Sequence, residues 1–318
     1  MKIVVLDGYA LNPGDNPWQP VEAHGELVVY DRSDPAEVVQ RALGSDIILT
    51  NKVVLDEGVI SQLPDLKFIA ATATGYNVVD TDFARQQGIP VSNVPVYGTD
   101  TVAQHVFASI LSFINKPSEH HAAIQNGQWK ACGNFSFWLS PLTELSGKTM
   151  GIVGLGRIGR ATAKLAAAFG MKVVAHSRRT TDPLDLPGFE WLSSEELFIQ
   201  SDFISLHCPQ TPETTGFVNS ELIAKMKPSS ILVNTSRGGL INEQDLADAL
   251  NAGQIAGALL DVVSVEPIED TNPLLTAKNC MLTPHMAWTA IEARQRMMQT
   301  TADNVAAFIA GEPINVVN

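Results

Sequence analysis

Three short runs of the 318-residue chain hold the side chains that acid–base work on a small acid requires. Asn234-Thr235-Ser236-Arg237-Gly238-Gly239 offers a guanidinium. Asp261-Val262-Val263-Ser264-Val265-Glu266-Pro267 offers carboxylates, and Leu282-Thr283-Pro284-His285-Met286-Ala287-Trp288 an imidazole. Each follows an aliphatic stretch that predicts a strand, so in a parallel sheet all three emerge at one edge. Reducing a 2-oxo acid means adding hydride to C2 and a proton to the oxygen that becomes an alkoxide. Histidine suits the proton step because its unperturbed pKa is about 6.5, and a nearby carboxylate favours the charged, proton-donating ring. In that scheme Glu266 holds His285, while Arg237 clamps the substrate carboxylate and polarises the carbonyl. Taken singly, the Arg is as readily a surface ion pair, the Glu a solvated turn residue and the His a satisfied loop group. Their common placement is what argues for chemistry.

A hydride donor is expected on the stretch from Thr149 to Arg179. Met150 to Val153 predicts a buried strand. Arg157 to Phe169 predicts a helix with Ile158, Ala161, Leu165 and Phe169 at helical spacing, and Lys172 to His176 a second strand. Between strand and helix, Gly154, Gly156 and Gly159 stand in G-x-G-x-x-G spacing. Gly154 permits the tight turn, Gly156 lets a pyrophosphate approach the backbone, and Gly159 lets helix and strand pack closely. The helix N-terminus adds unpaired N–H groups and partial positive charge. A glycine loop without a ligand is the plain alternative, against which the flanking strand and helix argue.

The tip of the second strand bears on the choice of cofactor. NAD sites place a carboxylate there, about 20 residues past the glycines. This chain reads His176-Ser177-Arg178-Arg179-Thr180 and has no carboxylate before Asp182. Ser177 can hydrogen-bond a 2′-phosphate, and Arg178 and Arg179 can pair with it. NADP(H) is therefore the expected preference. NAD(H) stays open, since the arginines can equally be solvated loop charges.

Positioning these groups takes more than one core, and at 318 residues two domains are expected. The N-terminal third alternates strand-like runs (Lys2 to Leu6, Leu27 to Tyr30, Ile47 to Leu49, Leu66 to Ala71, Val91) with helical patterns. That alternation predicts an α/β layer with a parallel sheet. Past its fourth strand, small residues in Ala71-Thr72-Ala73-Thr74-Gly75-Tyr76-Asn77 let the N–H groups of Thr74, Gly75 and Tyr76 face a small carboxylate, although a plain turn fits equally well. Asn93 to Thr99 breaks the pattern, and Thr99 or Asp100 can cap a helix over Thr101 to Phe113, the first crossing into the cofactor domain. Phe203 to Leu206, Ile231 to Asn234, Ala256 to Val262 and Met281 to Leu282 supply further strands of a doubly wound sheet. Trp288 to Ala310 reads as one helix returning to the first domain, ended by Gly311-Glu312-Pro313. The expected division is 1–99 with 289–318 for the substrate domain and 100–288 for the dinucleotide domain.

Between Asn126 and Pro141, Trp129, Phe135, Phe137 and Trp138 follow no regular period. They suggest a subunit interface or a pocket rim, or a covered loop. The formal charge of −13 disfavours nucleic acid and anionic membranes as partners. Cys132, Cys208 and Cys280 show no metal spacing, so no metal is expected. Together with an N-terminus that enters a strand without a leader, they point to the cytoplasm.

At these residues the chain resembles the D-isomer-specific 2-hydroxyacid dehydrogenases, over nearly its whole length. The family's E-L-x-G-K-T-x-G-I-x-G-x-G-R-I-G is matched from Glu144 to Gly159, and its L-H-x-P by Leu206 to Pro209. N-x-x-R-G is matched by Asn234 to Gly238, D-V-x-x-x-E-P by Asp261 to Pro267, and T-P-H by Thr283 to His285. The resemblance implies a Rossmann cofactor domain inserted in a flavodoxin-like substrate domain, with a cleft between them, and a homodimer. It implies that Arg237 binds substrate, Glu266 supports the histidine and His285 is the acid/base. It also implies that Thr74, Arg157, Ile158, Cys208, Pro209, Thr235, Ser236, Asp261 and His285 line the cofactor, with Asp261 on the nicotinamide amide, and that Trp288 faces substrate. His285-Met286-Ala287-Trp288 and Phe135-Ser136-Phe137-Trp138 look most like glycerate dehydrogenases and hydroxypyruvate or glyoxylate reductases. The expected reaction is reversible reduction of hydroxypyruvate or glyoxylate to D-glycerate or glycolate. The alternatives are a dehydrogenase for D-lactate or 3-phosphoglycerate, or a non-catalytic dinucleotide-sensing scaffold.

Overall fold

Short apolar runs, too brief for helices, become parallel strands in this protein, whose computed structural model describes residues 1–318. The chain divides into two units, Met1–Gly98 with Thr289–Asn318, and Thr99–Trp288. The division falls after Gly98 rather than after Thr99, because Thr99 is already the first residue of the helix Thr99–Asn115.

The first unit carries β1 (Lys2–Val5), β2 (Glu26–Val29), β3 (Ile47–Thr50), β4 (Phe68–Ala71) and β5 (Val91–Ser92). They pair in parallel in the order β2-β1-β3-β4-β5. Every residue of β3 and β4 is buried, as expected for strands covered on both faces. Strand order reverses between β1 and β3, where open α/β sheets leave a crevice. Here the protein fills it with its own Asp7, whose carboxylate accepts the N–H groups of Asn51 at 2.8 Å and Val53 at 3.0 Å. The helix Ile291–Ile309 belongs to this unit. Phe308 stacks on Phe68 with ring centroids 4.6 Å apart, and the buried Arg294 forks onto Asp15 at 2.5 and 2.7 Å. The helix begins at Ile291, not Trp288, because Ala290 is still extended, with ψ 144°.

The second unit carries β6 (Thr149–Val153), β7 (Lys172–His176), β8 (Glu190–Trp191), β9 (Phe203–Leu206), β10 (Ile231–Asn234), β11 (Gly257–Leu260) and β12 (Cys280–Leu282). All pair in parallel, in the order β12-β11-β10-β9-β6-β7-β8. The pleat sends alternate residues to opposite faces. Accordingly Val174, Leu232 and Leu260 enter one core, while Val173, Val233 and Leu259 enter another. The glycine-motif helix Arg157–Ala168 packs against Thr99–Asn115, and Phe169 at its end stacks on Phe107 at 5.1 Å. The aromatic stretch expected to be irregular contains the short helix Gln128–Cys132, preceded by Pro117–Gln125. Left-handed residues set these helices off: Lys116 (φ 48°), Gly127 (φ 78°) and Gly133 (φ 67°).

Phe68 is fully buried under Phe308. Phe68→Ala removes both the transfer free energy and the stack, and is expected to cost about 3–5 kcal/mol. Urea unfolding of the variant beside the parent chain measures this.

Candidate active site

His285 has an unusual backbone for a residue with a side chain. Its φ is +52°, in the left-handed region that strains most residues. The strain persists because the loop is fastened at several points. His285 N donates to Asp261 O at 2.8 Å and to Thr283 O at 3.0 Å. The buried Asp261 carboxylate accepts from Thr283 Oγ1 at 2.6 Å, Met286 N at 2.9 Å and Ala287 N at 2.8 Å. Behind it, His105 Nε2 lies 3.2 Å from Thr283 Oγ1 and 3.7 Å from Asp261 Oδ1. Asp261 sits directly after β11 and the fastened loop directly after β12, so adjacent parallel strands bring them together.

The fastened loop aims the imidazole at Glu266. His285 Nδ1 is 2.7 Å from Glu266 Oε2, while Val263 N reaches Glu266 Oε1 at 3.3 Å. With a carboxylate on Nδ1 that nitrogen carries the hydrogen, and Nε2, claimed by no protein group, remains for proton exchange. Arg237 emerges after β10 on an exposed turn. Asn234 fixes that turn, donating to Arg237 O at 2.9 Å and accepting Ser236 N at 3.0 Å. Arg237 Nη1 rests on Ser236 O at 2.8 Å. Its neighbour Gly238 lies flush against the backbone of Val263 and Ser264, where any Cβ would overlap main-chain atoms. The arginine turn and the glutamate turn are thus in direct contact.

The glycine loop follows β6, at the point where strand order reverses between β6 and β9. Gly154 has φ +97°, and a Cβ there would lie 2.6 Å from Cys208 N. A Cβ on Gly159 would overlap the Gly154 carbonyl oxygen, so this glycine sets the helix against the turn. Around Gly156, by contrast, no protein atom lies within 4 Å of the Cβ position, which leaves a hollow at the N-terminus of Arg157–Ala168. Thr235 contributes a buried hydroxyl with no partner. Ser236 Oγ ties β10's turn to Cys208 O at 2.7 Å, and Pro209 O takes the Thr214 hydroxyl at 2.9 Å. Open space beside free helix N–H groups suits a dinucleotide pyrophosphate. Arg157 is exposed and Ile158 half-buried beside the hollow.

At the tip of β7, Ser177 is half-buried while Arg178 and Arg179 are exposed. Arg178 lies near the loop after β9: with the Thr211 hydroxyl as the larger influence, it helps hold the Glu213 carboxyl below its usual range. Asp182 is turned to Arg160, 2.7 Å away. In the other unit, Thr74 Oγ1 donates to Val94 O at 2.9 Å. The N–H groups of Thr74, Gly75 and Tyr76 are taken by no protein acceptor.

Residues 107–287 match the family described as D-isomer specific 2-hydroxyacid dehydrogenase, NAD binding domain. The chain belongs to the D-isomer-specific 2-hydroxyacid dehydrogenases. It is 50% identical over 321 residues to a hydroxypyruvate reductase of Blautia hydrogenotrophica, covering 100% of both chains. A glycerate dehydrogenase of Methylorubrum extorquens is 41% identical over 285 residues, 89% of this chain and 88% of that one. Among solved structures, an acyclic imino acid reductase (Bsp5) in complex with NADPH and D-Arg superposes with TM-score 0.84 at 29% identity, covering 100% of each chain. This dehydrogenase therefore reduces a small 2-oxo acid to the D-2-hydroxy acid with a nicotinamide dinucleotide.

Asp261, expected on the nicotinamide amide, has a side chain that is 1% exposed and accepts from three donors of the 283–287 loop. What the structure displays is a fastening for His285. Thr283 and His105 join that fastening and carried no expected role. Thr283 had a signal in the T-P-H run, His105 none. Trp288, half-buried, closes the same loop.

His207, one residue past β9, stands 2.9 Å from the Ser205 hydroxyl, and burial pushes it down to about 4. In the unfolded chain it takes a proton near 6.5. The unfolded state therefore binds more protons between those values, and stability falls as pH drops from about 6.5 towards 4 and is level above. Part of its surface meets water, so the loss is at most about 3 kcal/mol. Melting temperatures from pH 7.5 to 4.5 are expected to decline less steeply for His207→Gln.

Proposed function

We propose that this dehydrogenase is an NADPH-preferring reductase of hydroxypyruvate and glyoxylate, forming D-glycerate and glycolate. The 2.7 Å pair of His285 Nδ1 and Glu266 Oε2 carries this reading, because it leaves Nε2 as the proton donor. The substrate follows from the 50% identity to a hydroxypyruvate reductase over the whole chain. When bound, the nicotinamide supplies the hydride that C2 accepts. His285 Nε2 then gives its proton to the oxygen, and Glu266 balances the charge of the ring before transfer. Arg237 holds the substrate carboxylate through its planar fork and draws density from the carbonyl. In the first unit, we assign the free N–H groups of Thr74, Gly75 and Tyr76 to binding a small carboxylate. In the reverse direction the neutral ring takes the hydroxyl proton.

The cofactor preference rests on the half-buried Ser177 and the exposed Arg178 and Arg179, with Asp182 engaged by Arg160. A carboxylate at that tip would repel a 2′-phosphate, whereas a hydroxyl and guanidinium groups attract it. A homodimer is supported by Phe135 and Trp138, 94% and 66% exposed, and by a mixed groove where Leu111, Ile114, Leu142 and Phe169 stand beside Asn115 and Glu144. No helix is long and apolar enough to cross a membrane. Cys132, Cys208 and Cys280 are free thiols, in keeping with the cytoplasm.

The test is oxidation of NADPH and NADH with hydroxypyruvate, glyoxylate, pyruvate and phosphohydroxypyruvate. The expected result is highest kcat/KM for hydroxypyruvate or glyoxylate, with NADPH favoured about tenfold or more, a difference of about 1.4 kcal/mol. Ser177→Asp should move that preference towards NADH, and a parent enzyme that prefers NADH discards the Arg178 assignment. His285→Ala is expected to lower kcat by about 10²- to 10⁴-fold while still binding cofactor. Arg237→Ala should chiefly raise KM for the acid, as steady-state kinetics will record.

A further inference from the structure

Glu266 sits on a long exposed stretch with little regular structure. Residues 264–271 are all solvent-exposed, and the next regular element is the short turn of helix Pro273–Leu275. A carboxylate carried on so open a loop would swing away from the imidazole unless the loop were tied down elsewhere. The tie comes from Glu243, the first residue of the helix Glu243–Asn251. Its Oε1 accepts Ser264 N at 2.7 Å, and its Oε2 accepts both Ser264 Oγ at 2.7 Å and Asn272 Nδ2 at 2.9 Å. One carboxylate therefore grips the loop at two places, two residues before Glu266 and six after it. Asn272 in turn fixes the far end, accepting Leu274 N at 2.9 Å. An acidic residue in the first turn would ordinarily serve its own helix. This one spends both oxygens on another segment.

We infer that Glu243 is a positioning residue for the reaction, holding the Glu266 loop so that Glu266 stays on His285 Nδ1. It rests on the reading of His285 as the proton donor. Without the grip Glu266 spends less time on Nδ1, and the ring loses the partner that balances its charge while Nε2 donates the proton. The titratable groups facing His285 are Glu266 directly and Asp261 through the loop it fastens, with His105 behind Asp261. Facing Glu243 are the Ser264 hydroxyl, the Asn272 amide and the Cys280 thiol. Burial and, after it, the Glu243 charge push that thiol up to about 12, so it adds no competing anion.

The experiment is a double-mutant cycle of Glu243→Gln and Glu266→Gln in the full-length enzyme, read as the pH profile of 2-oxo acid reduction. Glu243→Gln is expected to lower kcat about tenfold and to move the alkaline limb to lower pH, with KM for the acid and cofactor affinity within about twofold. In the Glu266→Gln background the same change should add little, because the two act through one contact. Independent, multiplying effects, or a Glu243→Gln profile that overlays the parent's, overturn the inference. If Glu243→Gln lowers the yield of folded enzyme, Ser264→Ala removes one of the grip's three hydrogen bonds from an exposed site and must show a limb shift in the same direction and the same lack of additivity. The parent enzyme's own substrate panel separates the two claims. Turnover of pyruvate but not hydroxypyruvate discards the substrate assignment, and the cycle is then read with pyruvate.

Discussion

A buried carboxylate with three donors organises this active site. Asp261 has almost no contact with water, and a charge in that position is costly unless it is fully hydrogen-bonded. Met286 N, Ala287 N and the Thr283 hydroxyl meet that requirement together. In doing so they force the chain between them through His285 at a positive φ. The histidine's direction is thus a by-product of satisfying a charge behind it. That explains why a proton-donating ring can stand on a turn rather than on a strand or helix and still be held still.

The same logic recurs around the site. Asn234 closes the arginine turn with both ends of its amide, Ser236 ties it to the loop after β9, and Glu243 ties down the glutamate loop. The last two ties join the ends of neighbouring strands, one of them through the helix that follows β10. A parallel sheet delivers these ends to one edge, and short polar side chains then lock the turns to each other. Hydride chemistry demands close placement of donor, acceptor and acid, and the sheet provides it without any single long-range contact bearing the burden.

Much of this was legible in the sequence, because strand ends in α/β proteins announce themselves. The runs ending at Val153, Leu206 and Val233 are largely apolar and stop at glycine or polar residues, so the strands and the edge they share could be read, although the strand expected over Ala256 to Val262 ends two residues earlier, with β11 at Leu260. Gly154 and Gly159 behave as their motif suggests because each meets a backbone obstacle that a Cβ would strike. Other features left no such trace. The helices Pro117–Gln125 and Gln128–Cys132 are set off by left-handed residues rather than by a strong apolar period. The returning helix starts late because Ala290 is extended, which composition does not reveal. Asp261 stood in a motif that suggested a ligand contact. Which N–H groups would reach it from more than twenty positions away depends on the register of β11 with β12, and spacing alone does not encode that.

Gly238 carries a consequence for how such an enzyme can change. Its absent side chain is what lets the turn bearing the guanidinium lie flat on the turn bearing the carboxylate. Grafting in a turn that carries any side chain at position 238 would wedge the two surfaces apart, even if every reactive group were kept. Substrate range in this scaffold is therefore free to drift through loops that touch neither turn, while the pair itself must be inherited as one piece.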